Sequence, residues 1–460
     1  MKIRAFILAF LVIMAINSFP ATSVISGKVT NGNGYTIRLM TYSDQVSYLR
    51  KTLGSAIIGE DERFSFLLDC DEVTFCWLDI EFQQAELFIR PGQAYEIEIN
   101  LKYEPLTMSY YNRNSLDYSF IQDDSAHLNL SIQDFNQLYN DFLLNYTDNI
   151  RAHSSKVEYE TFMRAIGIRF QNVTDEYFNN YIRYKTASMQ LFMRLKSREN
   201  IGIEYFTGQP VLYANLEYMD FFHLYFEKYF ITGGKYFNYS KTYDQVNGTA
   251  TAAGMLDSLK KDPVLKIDSS LRELVLLCGL KELYSINGFK HDRVAALVKE
   301  IATNGSVEES RKLAENLLVR FRRLQPGTPA PDFALKNVSS QQEYRLNDFS
   351  GKKLYLAFFE SDNPACQSEL EQIRDIYEDY KTKVSFVAVS VDKDIPKLND
   401  YIKRAGLPWE FHHYNGDLDL LENYDAIAFP HFVLVSDKGK IIRCPAPSPS
   451  ENIRKLLEAF

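Results

Sequence analysis

Three unlike parts are predicted for this chain: an N-terminal antiparallel β-sandwich, a central all-α region and a C-terminal α/β domain. Three observations carry that reading. Between residues 24 and 104, apolar residues alternate in short runs separated by turn residues, the period of strands with one buried face. From 105 to 325 the apolar spacing changes to three and four residues, the period of one helix face. After Pro326, continuous apolar runs alternate with amphipathic stretches, the order of strand and helix in an α/β sheet.

The bulk numbers permit this. A chain of 460 residues has room for two to four domains of roughly 100–200 residues each. Its 30 Tyr and 32 Phe supply large side chains for several cores. The net charge of −9 speaks against a nucleic-acid partner, which needs clustered Lys and Arg.

Residues 1–23 read as a signal peptide. Lys2 and Arg4 form a basic start, and residues 5–16 are unbroken apolar. That run is too short for a bilayer span, which takes about 20 residues. Ala21 and Ser23 are small residues at suitable spacing, so cleavage is placed after Ser23. No later stretch has the length of a transmembrane span. The expected location is the periplasm or cell envelope of a bacterium.

In the β-region the predicted strands are residues 24–29, 35–40, 63–68, 73–78, 85–89 and 95–99, with turn signals at 31–34 and at Pro91-Gly92. The segment loosely resembles the small β-domains that precede thioredoxin-like domains in exported bacterial proteins. Cys70 shares a strand face with Phe64, Phe66 and Leu68, and Cys76 with Leu78 and Ile80. Both read as core residues, and a bridge between them stays open because spacing does not give distance.

The helical region begins with Phe135, Leu138, Tyr139 and Phe142 on one face, and continues with Tyr177, Tyr181 and Tyr184. Residues 233–247 are expected to form a loop. Tyr218, Phe221, Tyr225 and Tyr229 form one aromatic stripe, and Phe222, Phe226 and Phe230 an adjacent one. Such stripes usually pack inward; an exposed partner-binding face is the alternative. Asp220, His223 and Glu227 have a spacing that could hold a metal, but a solvated charged face is far commoner. Cys278 lies inside an apolar helix and reads as core.

Gln325-Pro326-Gly327-Thr328-Pro329 is a linker, since two prolines stop a helix. Beyond it come an apolar strand at 354–359, a helix at 367–380, a strand at 384–391 and a helix at 396–405. A hairpin over 432–443 and a closing helix at 449–460 follow. The motifs resemble the TlpA-like and AhpC/TSA branches of the thioredoxin superfamily. Gly327-Thr328-Pro329-Ala330-Pro331-Asp332-Phe333-Ala334-Leu335 is similar to their opening G-x-x-A-P-D-F-x-L, and Leu346-Asn347-Asp348-Phe349-Ser350-Gly351-Lys352 to L-x-D-F-x-G-K. Phe358-Phe359-Glu360-Ser361-Asp362-Asn363-Pro364-Ala365-Cys366 falls where the family has F-W-A-x-W-C-x-P-C, and Ala428-Phe429-Pro430 where it has its cis-proline.

The resemblance implies a thioredoxin fold at 326–460 and a two-thiol site. In that chemistry the first Cys attacks a disulfide from a helix N-terminus, which favours thiolate, and the second resolves the mixed disulfide. Here Asn363 replaces the attacking Cys. Cys366 survives at the resolving position, and Pro430 takes the place of the cis-proline. Asp362, beside the missing thiol, would oppose a thiolate. The reading expected from these residues is an exported thioredoxin-like module, inactive as a dithiol enzyme, that binds a protein or peptide in the envelope without a cofactor or metal. Thiol–disulfide exchange through Cys366, with or without Cys444, is the alternative. A peroxiredoxin-like peroxidase is weaker, because Phe359 stands where that family needs Pro. An envelope component built on the β-domain and the 218–230 helix is a third possibility. His412-His413 reads as a half-exposed loop pair rather than a metal site.

Overall fold

The computed structural model describes residues 21–80, 83–102, 114–121, 123–149, 155–232, 236–392, 394–426 and 428–458. The basic start and apolar run of the expected signal peptide lie outside these residues. Ala21–Ser23 do not. They open the first strand, and Ser23 is wholly buried with its hydroxyl donating to Arg90 O at 2.7 Å. Cleavage after Ser23 would remove three paired residues of that strand.

The N-terminal strands are β1 (Ala21–Thr30), β2 (Thr36–Tyr42), β3 (Arg50–Ile57), β4 (Arg63–Cys70), β5 (Thr74–Ile80), β6 (Gln83–Ile89), β7 (Ala94–Asn100), β8 (Asn114–Ser115) and β9 (Asp117–Phe120). They form two sheets, in the orders β4-β1-β7-β9 and β3-β2-β5-β6-β8. Most pairs are antiparallel, while β1–β7 and β6–β8 run parallel. Both sheets take in strands beyond residue 104, so the β-region extends past its expected end. The sequence reading also lacked β3. This edge strand carries Gly54 and little buried surface, so it shows no alternation.

Between the sheets Ile25, Leu39, Phe66, Leu78, Leu87 and Ile97 make the sandwich core. Strand β5 is buried on both faces. Its outer face, through Phe75 and Trp77, packs on α1–α3 of the helical region. Burial on both faces leaves β5 without the alternation of a half-exposed strand.

The helices are α1 (Asp123–Asn149), α2 (Ser155–Arg169), α3 (Glu176–Phe192), α4 (Arg198–Tyr205), α5 (Leu216–Phe226), α6 (Tyr229–Thr232), α7 (Tyr239–Asn247), α8 (Ala252–Leu259), α9 (Ser269–Tyr284), α10 (His291–Asn304) and α11 (Glu308–Arg322). Helix α7 replaces most of the expected loop. Asn238 caps it by accepting from Lys241 N, a signal hidden in a polar, Tyr-rich stretch. Both aromatic stripes of α5 and α6 point inward: Tyr218, Phe221, Phe222, Tyr225, Phe226 and Phe230 are buried in one cluster. That face is therefore not available to a partner. The β2–β3 connection also enters this cluster, with Val46 fully buried among the helices.

The C-terminal elements are β10 (Ala334–Asn337), β11 (Glu343–Arg345), β12 (Lys353–Phe359), α12 (Pro364–Tyr380), β13 (Val384–Ser390), α13 (Ile395–Ala405), β14 (Glu410–His413), α14 (Leu418–Asn423), β15 (His431–Val435), β16 (Ile441–Arg443) and α15 (Arg454–Glu458). One sheet runs β11-β10-β14-β13-β12-β15-β16. Strand β12 is parallel to β13 and antiparallel to β15. Its side chains alternate between two cores. Tyr355, Ala357 and Phe359 meet α12, α13 and α15, and Leu354, Leu356 and Phe358 meet α14 and the entry segment. Among the described residues, no helix is long and apolar enough to cross a membrane.

Candidate functional site

The site lies where β12 ends. The strand is apolar because it is central, with six of its seven residues buried. Three polar residues, Glu360, Ser361 and Asp362, then lead to Asn363. Asn363 is the N-cap of α12, and Pro364 occupies the first turn. This is the residue order that helix starts favour.

The Asn363 side chain works at both ends. Its Oδ1 accepts from Ala365 N at 2.9 Å and from Cys366 N at 3.4 Å. Its Nδ2 donates to Phe429 O at 3.3 Å. The amide therefore takes up two orphan N–H groups of the helix start and ties that start to the segment before Pro430. The Phe429–Pro430 peptide is cis. Those N–H groups are what would otherwise face a thiolate at this position.

Cys366 heads the buried stripe Cys366, Leu370, Ile373 and Ile376 of α12. It has no exposed surface. Burial pushes its thiol up to about 12; a hydrogen bond with the Glu360 backbone opposes the rise, and the charges of Glu360, Asp392 and Asp362 add to it. The charged side chains that act on it are thus all acidic. Burial, then Asp362 and Asp392, also raise Glu360 above the usual carboxylate range.

Asp392 is a site residue the sequence reading missed. Its carboxylate accepts from Ser361 N at 3.0 Å, from Ser361 Oγ at 2.8 Å and from Ser390 Oγ at 2.5 Å. It pins the β12–α12 loop to the end of β13. The Ser-Val-Asp step after an apolar strand was the available signal. Asp362 reaches outward instead, accepting from Lys397 Nζ at 2.7 Å. Around Asn363, the side chains of Pro364, Ala365 and Ala428 are exposed, and Phe429 and Pro430 are half-buried. The surface is a small apolar ledge with the Asp362–Lys397 pair at its edge.

The redoxin family model matches residues 325–456. The thiol-disulfide oxidoreductase ResA of Geobacillus thermodenitrificans is 30% identical over 138 residues, which are 29% of this chain and 77% of that protein. The chain belongs to the redoxin family. ResA of Bacillus thuringiensis subsp. konkukian is 24% identical over 132 residues, 28% of this chain and 75% of its own. Among solved structures, the thioredoxin domain of a thiol-disulfide oxidoreductase from Bacteroides vulgatus is similar to 29% of this chain over 97% of its own length. Its identity is 23% and its TM-score 0.28.

Within the redoxin domain, Cys444 lies away from Cys366. Cys366 packs on the face of β12 that carries Ala357 and Phe359, and Cys444 on the face that carries Leu356 and Phe358. The sheet stands between them, which corrects the expectation that the two thiols could act together. Cys444 Sγ donates to Tyr424 O at 3.5 Å and lies 3.8 Å from His431 Nε2. Burial pushes this thiol too up to about 12, with Asp425 adding to the rise and Arg323 opposing it. Cys70 and Cys76 are buried and free, as are Cys278 and Cys366.

His412 and His413 are strand residues, not a loop pair. His412 is fully buried in β14 with Nε2 on Glu410 Oε2 at 2.9 Å. His413 Nε2 donates to Asp392 O at 2.7 Å, and its Nδ1 accepts from Asn415 N at 3.0 Å. Four-residue β14 was too short to read from pattern alone. In the helical region, His223 Nε2 donates to Gln45 O at 2.7 Å, so its helix face is not simply solvated. Among the described residues, no group of three or more His, Cys, Asp or Glu is placed to hold a metal.

Proposed function

We propose that this chain is an exported redoxin-fold protein that does no dithiol chemistry and uses the surface around Asn363 and Pro430 to bind a protein or peptide. One observation carries the reading. Asn363 occupies the attacking position, fills the helix N-terminus with its amide oxygen, and holds Phe429 O with its amide nitrogen. A nucleophile is absent where the chemistry needs one, and the groups that would activate it are already bonded. Cys366 lies behind this cap with no exposed surface, so a disulfide has no path to it in the folded state.

The apolar ledge of Pro364, Ala365, Ala428 and Phe429 supports a peptide partner with small apolar side chains. Ala365→Arg and Ala428→Arg place charge on exposed positions without touching the core. Both are expected to weaken capture of partners from an envelope extract while leaving the fold unchanged. Export rests on Lys2, Arg4 and the apolar run at 5–16, and cell fractionation tests it. The division into residues 24–104, 105–325 and 326–460 belongs to the same reading, with β8 and β9 favouring a later first boundary. The names of the ResA relatives favour a second function, thiol–disulfide exchange through Cys366. Thiol trapping separates the two: a mixed disulfide captured at Cys366 in the folded chain supports exchange, and none at saturating disulfide supports binding.

A further inference from the structure

We infer that Arg38, Arg50 and Arg323 form a clamp that positions the segment carrying Pro430, so the N-terminal parts of the chain set the surface assigned above as the binding face. This inference rests on that reading for its meaning and on independent contacts for its evidence.

The segment begins at α14, which is only six residues long. A helix this short does not hold itself together in water. Leu420 and Leu421 bury its inner side. Its outer side presents Asp419 and Glu422, three residues apart and therefore on one face, and Asp425 follows just beyond its end. Each meets an arginine from another part of the chain. Arg38 Nη1 donates to Asp419 Oδ1 at 2.5 Å, Arg50 pairs with Glu422, and Arg323 Nη2 lies 3.1 Å from Asp425 Oδ1. Two of these arginines come from strands β2 and β3, and one from just past the end of α11.

The clamp has firm footings. The other arm of Arg38 donates to Asp79 Oδ2 at 2.6 Å, and Asp79 is buried in the sandwich. The connection between β2 and β3 is held by the helices: Asn316 Nδ2 donates to Asp44 Oδ2 at 2.8 Å, and Arg320 Nη1 to Ser47 O at 2.6 Å. Beyond α14 the chain stays tied to it, because Tyr424 N donates to Leu420 O at 3.2 Å and Ala426 N to Leu421 O at 2.8 Å. Three residues after Ala426 comes Phe429, whose carbonyl Asn363 holds. A path of direct bonds thus runs from the sandwich to Ala426, three residues before Phe429. An exposed ion pair alone contributes little, but a network on one short element adds up.

Hydrogen exchange on the full chain, with no partner present, tests the clamp. The triple variant Asp419→Asn, Glu422→Gln, Asp425→Asn removes the acidic face. A second variant, Arg50→Gln with Arg323→Gln, removes two arginines and spares Arg38, which also holds Asp79. In both, the amides of Tyr424, Asp425 and Ala426 are expected to exchange at least tenfold faster, with α12 and β13 unchanged. Unchanged exchange at those amides overturns the inference. So does an equal rise across α12 and β13, which would report general loosening. Failure of partner capture by the native chain bears on the binding reading alone, since exchange is read without a partner.

Discussion

Replacing Asn363 with alanine removes two separate contributions whose sizes follow from the geometry. The first is the N-cap. Losing the side-chain acceptor for Ala365 N, bonded at 2.9 Å, costs about 1 kcal/mol in typical helices. The second is the bond from Nδ2 to Phe429 O, whose 3.3 Å length places it at the weak end, about 0.5 kcal/mol. The sum is about 1.5 kcal/mol, or roughly tenfold in an opening equilibrium. Serine separates the parts: it keeps a capping oxygen but is too short to donate to Phe429 O, so it should lose only about 0.5 kcal/mol, near twofold. The assay is hydrogen exchange at the amides of Ala365 and Cys366, where local opening is read directly. Native-like exchange in the Asn363→Ala variant, or exchange in Asn363→Ser as fast as in Asn363→Ala, would refute the assignment of Asn363 as cap and bridge.

Three further outcomes are expected. Alkylation of Cys366 at pH 8 should be much more than tenfold slower than that of an ordinary thiol, because the side chain is fully buried and a thiol pushed up to about 12 holds little thiolate; mass mapping after timed iodoacetamide checks this, and a rate within tenfold of free cysteine contradicts it. Val46→Ala should cost about 2 kcal/mol, from two buried methyl equivalents plus the void they leave, and should speed proteolytic cutting near Val46, which limited digestion would detect. His413 is held below its ordinary value by burial, its bond to Asp392 O opposing and Lys336 assisting the shift. A lowered folded value favours the neutral ring, so its contribution is present above pH 6.5 and is lost as pH falls below it. His413→Gln can donate once and accept once, so the drop in urea midpoint between pH 7.5 and 5.5 should be smaller than in the native chain. An equal drop in both would remove His413 from the account.

Legibility followed the physics of each element. Strands β12 and β13 were readable because central parallel strands are continuously apolar, and α12 because of its amphipathic stripe, though its start at Pro364 behind the Asn363 cap lies three residues before the expected Gln367. The Asn363 substitution was visible for the same reason: the motifs around it fix the position. Strand β3 was not readable, because an edge strand with little buried surface need not alternate. Strand β14 and helix α14 were too short to show a period. Loop residues such as Val46 gave no sign that they enter another region's core, since long-range insertion leaves no local pattern. The acidic spacing at Asp419, Glu422 and Asp425 is plain in the sequence, but its three arginines come from distant segments. Pairing Cys366 with Cys444 looked open in the sequence. Only the alternation of β12 side chains, seen with both thiols in place, puts the sheet between them.

The absence of dithiol chemistry is tested most directly by insulin disulfide reduction with the full chain and its Cys366→Ser variant under one reductant. The account predicts that neither accelerates precipitation beyond the reductant alone and that the two traces coincide. Turnover by the native chain that disappears in Cys366→Ser would contradict it.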